Sequence, residues 1–285
     1  MRQFPAGCVA ALFVLSAASA GLADEGEPEA VPSLGCGTAP TSPPESFTIA
    51  GTEREAIVVL PDDYDSDHPH PLVFGFHGRT NPNTQVRRYF GLEQATAMRA
   101  IYVYPQGLED ETGRFTWADP GDHADELRDY ALFDEILDTM AEAYCVDLAA
   151  VFVAGHSLGA TFANSVACAR ADVVRGVGSI AGGINPADCP EEVAALLLHN
   201  PRDEAVPVAE GERARDHLLP ETDRLTATEP RSLGGFDCRQ YTEGENPLLW
   251  CLYRQDMTRT GRFYPHQWPD GAGETIMRFF QDLRG

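Results

Sequence analysis

Val151 to Gly159 reads VFVAGHSLG. The apolar VFVA runs without a break into Gly155, His156, Ser157, Leu158 and Gly159, and the helix-like ATFANSVACAR follows at once. A strand, a sharp turn with serine at its tip and a helix make up a nucleophile elbow. Such a turn needs glycine two residues before and two residues after the serine, because a Cβ at either place would strike neighbouring backbone. Its geometry lifts the Ser157 hydroxyl clear of the sheet. The backbone N–H of Leu158 opens the helix with the positive end of the helix dipole behind it, which makes it a candidate donor to an oxyanion.

Short apolar runs of the same kind recur on both sides: Ala56 to Leu60, Leu72 to Phe76, Ile101 to Tyr104, Ala150 to Ala154, Val173 to Ile180 and Ala194 to Leu198. Runs this short and this uniformly apolar are strands buried on both faces, which a parallel sheet requires. Between them, Asp125 to Tyr144 spaces Leu127, Tyr130, Phe133, Leu137, Met140 and Tyr144 by threes and fours, the pattern of an amphipathic helix. Leu158 to Arg170 and Glu274 to Leu283 read as further helices, and GERARDHLL around His217 is helix-like. Strand and helix in alternation predict an α/β fold, a mostly parallel central sheet with helices on both faces. The chain has 285 residues and no internal repeat, heptad pattern or linker, so residues 45–285 are expected to form one domain.

A serine hydroxyl is a weak nucleophile near neutral pH unless a histidine takes its proton and an acid steadies the histidine. In an elbow fold the order along the chain is serine, acid, histidine. His199, His217 and His266 follow Ser157. His199 closes a strand and precedes any suitable acid, and His217 lies inside a helix-like stretch. His266 remains, in the loop RFYPHQWPDGAG, where it can hang over the carboxyl edge of the sheet. For the acid, AALLLHN leads into PRDEAVP and puts Asp203 just past a strand's carboxyl end, where sites in such sheets are built. Glu204 is the neighbouring alternative, while Asp188 lies ahead of that strand. The turn in PLVFGFHGRT offers a second oxyanion donor, the N–H of Arg79 or else of Thr80, with His77 as a structural hydrogen-bonding group. Trp117 and Trp268 read as lining an aromatic acyl pocket, with ordinary packing the alternative for Trp117, and His156 is a further candidate for substrate contact.

Lys plus Arg is 21 against 44 Asp plus Glu, a formal net charge of -23, and every one of the cations is arginine. A surface of that sign repels a phosphate backbone and an anionic leaflet, which excludes nucleic acid as a default partner. A saline habitat and a GC-rich genome would each produce such a composition. At the amino end, Met1 and Arg2 precede the apolar Val9 to Ala18, small residues at Ala18, Ala20 and Ala23, and then Asp24 and Glu25. This is signal-peptide grammar, with cleavage after Ala20 or Ala23, so residues 1–23 are expected to be removed on export. The apolar run is too short to be a stable membrane anchor. Residues 24–44 read as an extended acidic, Pro-rich arm, pinned only at Cys36 and partly mobile. Export leaves Cys36, Cys145, Cys168, Cys189, Cys238 and Cys251, an even set that implies three disulfides, with Cys238 and Cys251 flanking an apparent hairpin as the best local pair. No Cys-x-x-Cys or His-x-x-x-His spacing occurs, and neither a metal nor another cofactor is expected.

The elbow VFVAGHSLGA stands among further recognisable segments: GCGTAP around Cys36, LPDDYDSDHPHPLVFGFHG ending at Gly78, YPQG from Tyr104 followed by Trp117, and YCVD around Cys145. HNPRDEAVP, Cys238 with Trp250-Cys251, and HQWP at His266 complete them. With these the chain resembles the secreted feruloyl esterases and the related polyhydroxybutyrate depolymerases of the α/β-hydrolase superfamily, over nearly the whole mature length. The resemblance implies the α/β-hydrolase fold, a triad of Ser157, Asp203 and His266, and disulfides joining Cys36 with Cys145, Cys168 with Cys189, and Cys238 with Cys251. Arg79, Thr80 and Asn81 stand where many relatives carry glycines. The implied activity is hydrolysis of plant cell-wall hydroxycinnamoyl esters through an acyl-enzyme, by a secreted monomer. Hydroxyalkanoate esters are the alternative substrate. A secreted binding protein on a hydrolase scaffold is the alternative without catalysis.

Overall fold

The apolar runs become the middle of a 10-stranded sheet in the computed structural model, which describes residues 30–118, 126–185, 189–219, 230–242 and 244–284. The expected signal segment lies outside the described residues. At one edge β1 (Ser46–Ile49) and β2 (Thr52–Val59) form an antiparallel hairpin. Next comes β4 (Ile101–Pro105), antiparallel to β2, and then β3 (His70–Phe76), β7 (Val146–His156), β8 (Val174–Ile180), β9 (Ala194–His199) and β12 (Leu248–Leu252), all parallel to β4. The antiparallel β11 (Phe236–Gln240) and β10 (Arg231–Leu233) close the other edge. A separate ribbon pairs β5 (Leu108–Glu109) with β6 (Phe115–Thr116). This is the mostly parallel α/β-hydrolase sheet expected from the sequence.

Successive residues of the inner strands feed two different cores, as the alternation of side chains along a strand demands. Leu72, Phe74 and Phe76 of β3 pack on one face with Phe133 of α2 (Ala131–Ala143), Phe162 of α3 (Leu158–Ala169) and Ala214 of α4 (Val208–Leu218). Val73, with Phe152 of β7, packs on the other against Phe90 of α1 (Asn83–Phe90) and Ile276 and Phe280 of α5 (Ala272–Asp282). The expected helix from Asp125 begins instead as a π turn, Glu126–Tyr130, before α2 takes over. In that turn the buried Asp129 pairs with Arg54 at 2.6 Å and accepts the N–H of Ala118 at 2.7 Å.

The arm is tied at more points than Cys36. The N–H of Val31 donates to the Asp147 carboxylate at 3.0 Å, Ser33 N–H to Val146 O at 2.9 Å and Gly35 N–H to Ala141 O at 2.8 Å. A Cβ on Gly35 would sit 2.3 Å from Tyr144 O, so glycine is what lets the arm lie this close. The first strand-ward residues of β7 would otherwise leave backbone groups without partners. The bridged cysteines are Cys36 with Cys145, Cys168 with Cys189 and Cys238 with Cys251, the pairing that the resemblance implied. The antiparallel ladder of β11 and β12 sets Cys238 directly opposite Cys251.

Candidate active site

Between the end of β7 and the start of α3, Ser157 has φ 58° and ψ -125°, a backbone that a residue with a side chain adopts only under constraint. The constraint is steric. A Cβ on Gly155 would lie 2.2 Å from Gly159 O, and one on Gly159 would lie 2.2 Å from Phe76 O and 2.4 Å from His77 O. Hydrogen bonds then hold the bend: Ser157 N–H donates to Ile180 O, and Ser157 O accepts the N–H of Thr161, each at 3.0 Å.

The Ser157 hydroxyl donates to His266 Nε2 at 2.8 Å, and His266 Nδ1–H donates to Asp203 Oδ2 at 2.6 Å. Asp203 follows β9 and His266 follows β12, so all three groups gather at the carboxyl ends of parallel strands. The other Asp203 oxygen accepts the N–H groups of Ala205 at 2.9 Å and Val206 at 3.0 Å. Burial works against charge on Asp203, but the hydrogen bonds from His266 and Val206 outweigh it and hold the carboxyl below its ordinary range. Glu204 is exposed and takes no part in this chain of bonds. His199 is buried, its Nε2–H donates to Val206 O at 2.8 Å, and burial lowers its pKa; it braces the Asp203 loop as a neutral ring. The Tyr253 hydroxyl donates to Gln267 O at 2.9 Å and steadies the loop that carries His266.

The turn after β3 lies against the serine: a Cβ on Gly78 would be 3.3 Å from Ser157 Cβ and 3.8 Å from its Oγ. Arg79 and Thr80 are exposed beyond it, with Arg79 O accepting Phe115 N–H at 3.0 Å and the Arg79 guanidinium paired to Asp110 at 2.8 Å. His77 is fully buried. Its Nδ1–H donates to Gly78 O at 2.7 Å, while Nε2 accepts from the Gln106 amide and Gly107 N–H, both at 2.8 Å. Burial pushes its pKa down to about 4. His77 is thus a neutral fixture of the turn.

Trp117 does not line the cleft beside His266. It is 6% exposed, stacks on Phe162 with ring centroids 5.0 Å apart, and donates Nε1–H to His77 O at 2.8 Å. Of the two readings that its residue type left open, these contacts give Trp117 a packing role, one face and its polar edge holding the turn. Gln106 and Arg54 were not singled out by sequence reasoning. Arg54 donates to Gln106 O at 3.1 Å, and Gln106 Oε1 accepts Asn83 N–H at 3.0 Å, so one buried network joins β2, α1 and the His77 turn. YPQG carried the only trace of it.

A cleft of about 930 Å³ opens beside His266, and His156, Tyr89, Tyr264, Trp268 and Thr80 are among its lining. Trp268 stacks on Phe90 with centroids 3.9 Å apart. His156 lies at 5.2 Å and 28° to the His266 ring, and its Nδ1 bonds the Tyr89 hydroxyl at 3.0 Å. Burial first, and the charge of His266 second, press its pKa down to about 3, so His156 backs the imidazole as a neutral ring. Among the described residues one group of possible metal ligands converges, Cys168, Cys189 and His217, and its two sulfurs are bonded to each other. No helix among the described residues is long and apolar enough to cross a membrane. A serine hydroxyl bonded to an imidazole whose far N–H rests on a buried carboxylate can lose its proton to that ring and have it passed on to a leaving group.

Residues 48–227 match the family described as "Putative esterase". Feruloyl esterase D of Neurospora crassa is 33% identical over 207 residues, 67% of this chain and 68% of the relative. Poly(3-hydroxyalkanoate) depolymerase C of Paucimonas lemoignei is 28% identical over 148 residues, 51% of this chain and 35% of the relative. The chain spans about two thirds of the length of the feruloyl esterases it matches. Among solved structures, a ferulic acid esterase of Anaeromyces mucronatus in complex with ferulic acid superposes with a TM-score of 0.56 at 16% identity, covering 83% of this chain and 88% of that one, a likeness of fold.

Proposed function

The chain belongs to the esterase family, and from that membership we propose that it hydrolyses hydroxycinnamoyl esters through an acyl-enzyme on Ser157. His266 takes the Ser157 proton as Oγ bonds to the ester carbonyl carbon. The N–H groups of Leu158 and of Arg79, or of Thr80 in its place, receive the negative oxygen. Protonated His266 then delivers its proton to the departing alcohol, the carbon–oxygen bond to that alcohol breaks, and water repeats the sequence to free the acid. Asp203 stays ionised and orients the ring.

The observation that carries this reading is the hydrogen-bond chain from Ser157 through His266 to Asp203, mounted on a strained elbow. Three disulfides support an oxidising destination and hence export as a secreted protein with residues 45–285 as its catalytic domain. Labelling by an organophosphonate that vanishes in Ser157→Ala, together with release of ferulate from methyl ferulate, tests it. An unlabelled wild-type protein would leave a binding protein on the same scaffold. The match to the polyhydroxyalkanoate enzyme favours hydroxyalkanoate esters as the second substrate reading, and release of hydroxybutyrate without release of ferulate would select it.

A further inference from the structure

Arginines are outnumbered by acids, 21 to 44, yet Arg88, Arg259 and Arg262 all line the cleft beside His266. Asp270 is occupied by Arg259 at 2.8 Å, and Glu274 by the N–H of Thr96 at 2.9 Å and by Arg278 at 3.4 Å. Arg88 and Arg262 have no carboxylate partner among the described residues: Arg88 Nε–H donates to Thr84 O at 3.1 Å, and the Arg262 guanidinium lies 5.6 Å from the Tyr264 ring centre. Tyr264 in turn stands edge-on to His266 at 6.0 Å. A guanidinium without an anion is therefore held two ring contacts from the imidazole. The loop that presents it is fixed by Thr258 N–H to Arg262 O at 2.8 Å and Tyr264 N–H to Asp256 O at 2.7 Å.

The side of the site matters. The imidazole hands its proton to the leaving alcohol, so the alcohol departs on the His266 side of Ser157. Tyr264, Gln267 and Trp268, which flank His266 in the chain, line this cleft. Its volume of about 930 Å³ is far more than a methyl or ethyl alcohol fills. Asn81, Gln94 and Gln267 add amide groups that suit a partner bearing several hydroxyls, and the aromatic rings suit flat sugar faces. Arginine matches carboxylate geometry.

Resting on the ester-hydrolase reading above, we propose that this cleft binds the alcohol half of the substrate as an acidic carbohydrate, with uronate carboxylates on Arg262 and Arg88 and a sugar ring against Tyr264 or Trp268. The test is calorimetric binding of trigalacturonate and of neutral arabinotriose to the wild-type protein at low salt. Trigalacturonate is expected to bind at least about fivefold tighter, the size of one partly exposed charge pair. Arg88→Gln/Arg262→Gln should abolish the preference, whereas Arg99→Gln, outside the cleft and paired with Asp63, should keep it. Equal binding, no detectable binding of either sugar, or a preference that survives the double variant would overturn the assignment. Binding needs no turnover, so failure to hydrolyse methyl ferulate would strike the ester reading alone. Hydrolysis without the uronate preference would strike the cleft alone.

Discussion

Lowering the pH from 8 to 5 is expected to remove about 4 kcal/mol of folding stability through two histidines alone. His77 and His156 are both buried, and burial presses their pKa values down to about 4 and about 3. In the unfolded chain each titrates near about 6.5. A base depressed by folding takes its proton first in the unfolded state. Its contribution is therefore fully present above about pH 6.5 and is lost progressively as the pH falls toward the folded values. At pH 5 the unfolded imidazole is almost wholly protonated and the folded one hardly at all, which is worth about 2 kcal/mol for each ring. Asp203 adds nothing here: its carboxyl is depressed, so its share is kept above the ordinary carboxylate value of 3.8 and lost only below it. Acidification also relieves self-repulsion in a chain of net charge -23, an opposing effect that added salt screens. Urea unfolding at pH 8, 6.5 and 5 in high salt, followed by tryptophan fluorescence with a constant m-value, measures the difference. His156→Leu should reduce the loss by about 2 kcal/mol. Wild-type stability that is flat over this range, or a variant that loses as much as the wild type, would refute the reasoning.

Ser157→Ala should lower kcat by at least about 10⁴-fold while circular dichroism and Tm stay near the wild-type values. Gly159→Ala drives a methyl against Phe76 O, where the gap is 2.2 Å, and should cost about 3 kcal/mol or more, read as a fall in Tm; an unchanged Tm would show that the helix start is not wedged. Trp117→Phe removes the bond to His77 O and should cost about 1 kcal/mol in urea unfolding, with kcat falling more than KM rises if the turn after β3 supplies the proposed oxyanion donor. Removing the Cys36–Cys145 bridge, with a sequence separation of 109, should destabilise by about 4.7 kcal/mol, against about 3 for Cys238–Cys251 with a separation of 13. Equal losses would argue against loop entropy as the cause.

The inner strands were legible because burial on both faces leaves an apolar run with no polar interruption, and VFVAGHSLG announced its bend because only glycine fits beside it. Ser157, His266 and Asp203 followed from chain order and from the carboxyl ends of strands, and the structure brings those three side chains within hydrogen-bond reach. Other features left weaker marks. α1 hides in NTQVRRYF because only Val86 and Phe90, with the small Asn83, turn inward from a polar stretch. The support behind the His77 turn depends on Arg54, Gln106 and Asp129, which lie far apart in sequence and meet only in three dimensions. Trp117 could not be sorted into pocket or packing by its residue type, since an indole serves both. The arm looked loose because its composition is acidic and Pro-rich, but backbone groups bond without regard to composition.

The attachment of that arm fixes how the protein can be held. Val31 and Ser33 dock at Asp147 and Val146, at the amino end of β7, and Ser157 follows the other end of the same 11-residue strand. At the rise of an extended chain the two points are roughly 35 Å apart. A resin, affinity handle or fused carrier joined ahead of Ala30 would therefore grip the pole opposite the mouth, leaving insoluble or bulky feedstock free to approach.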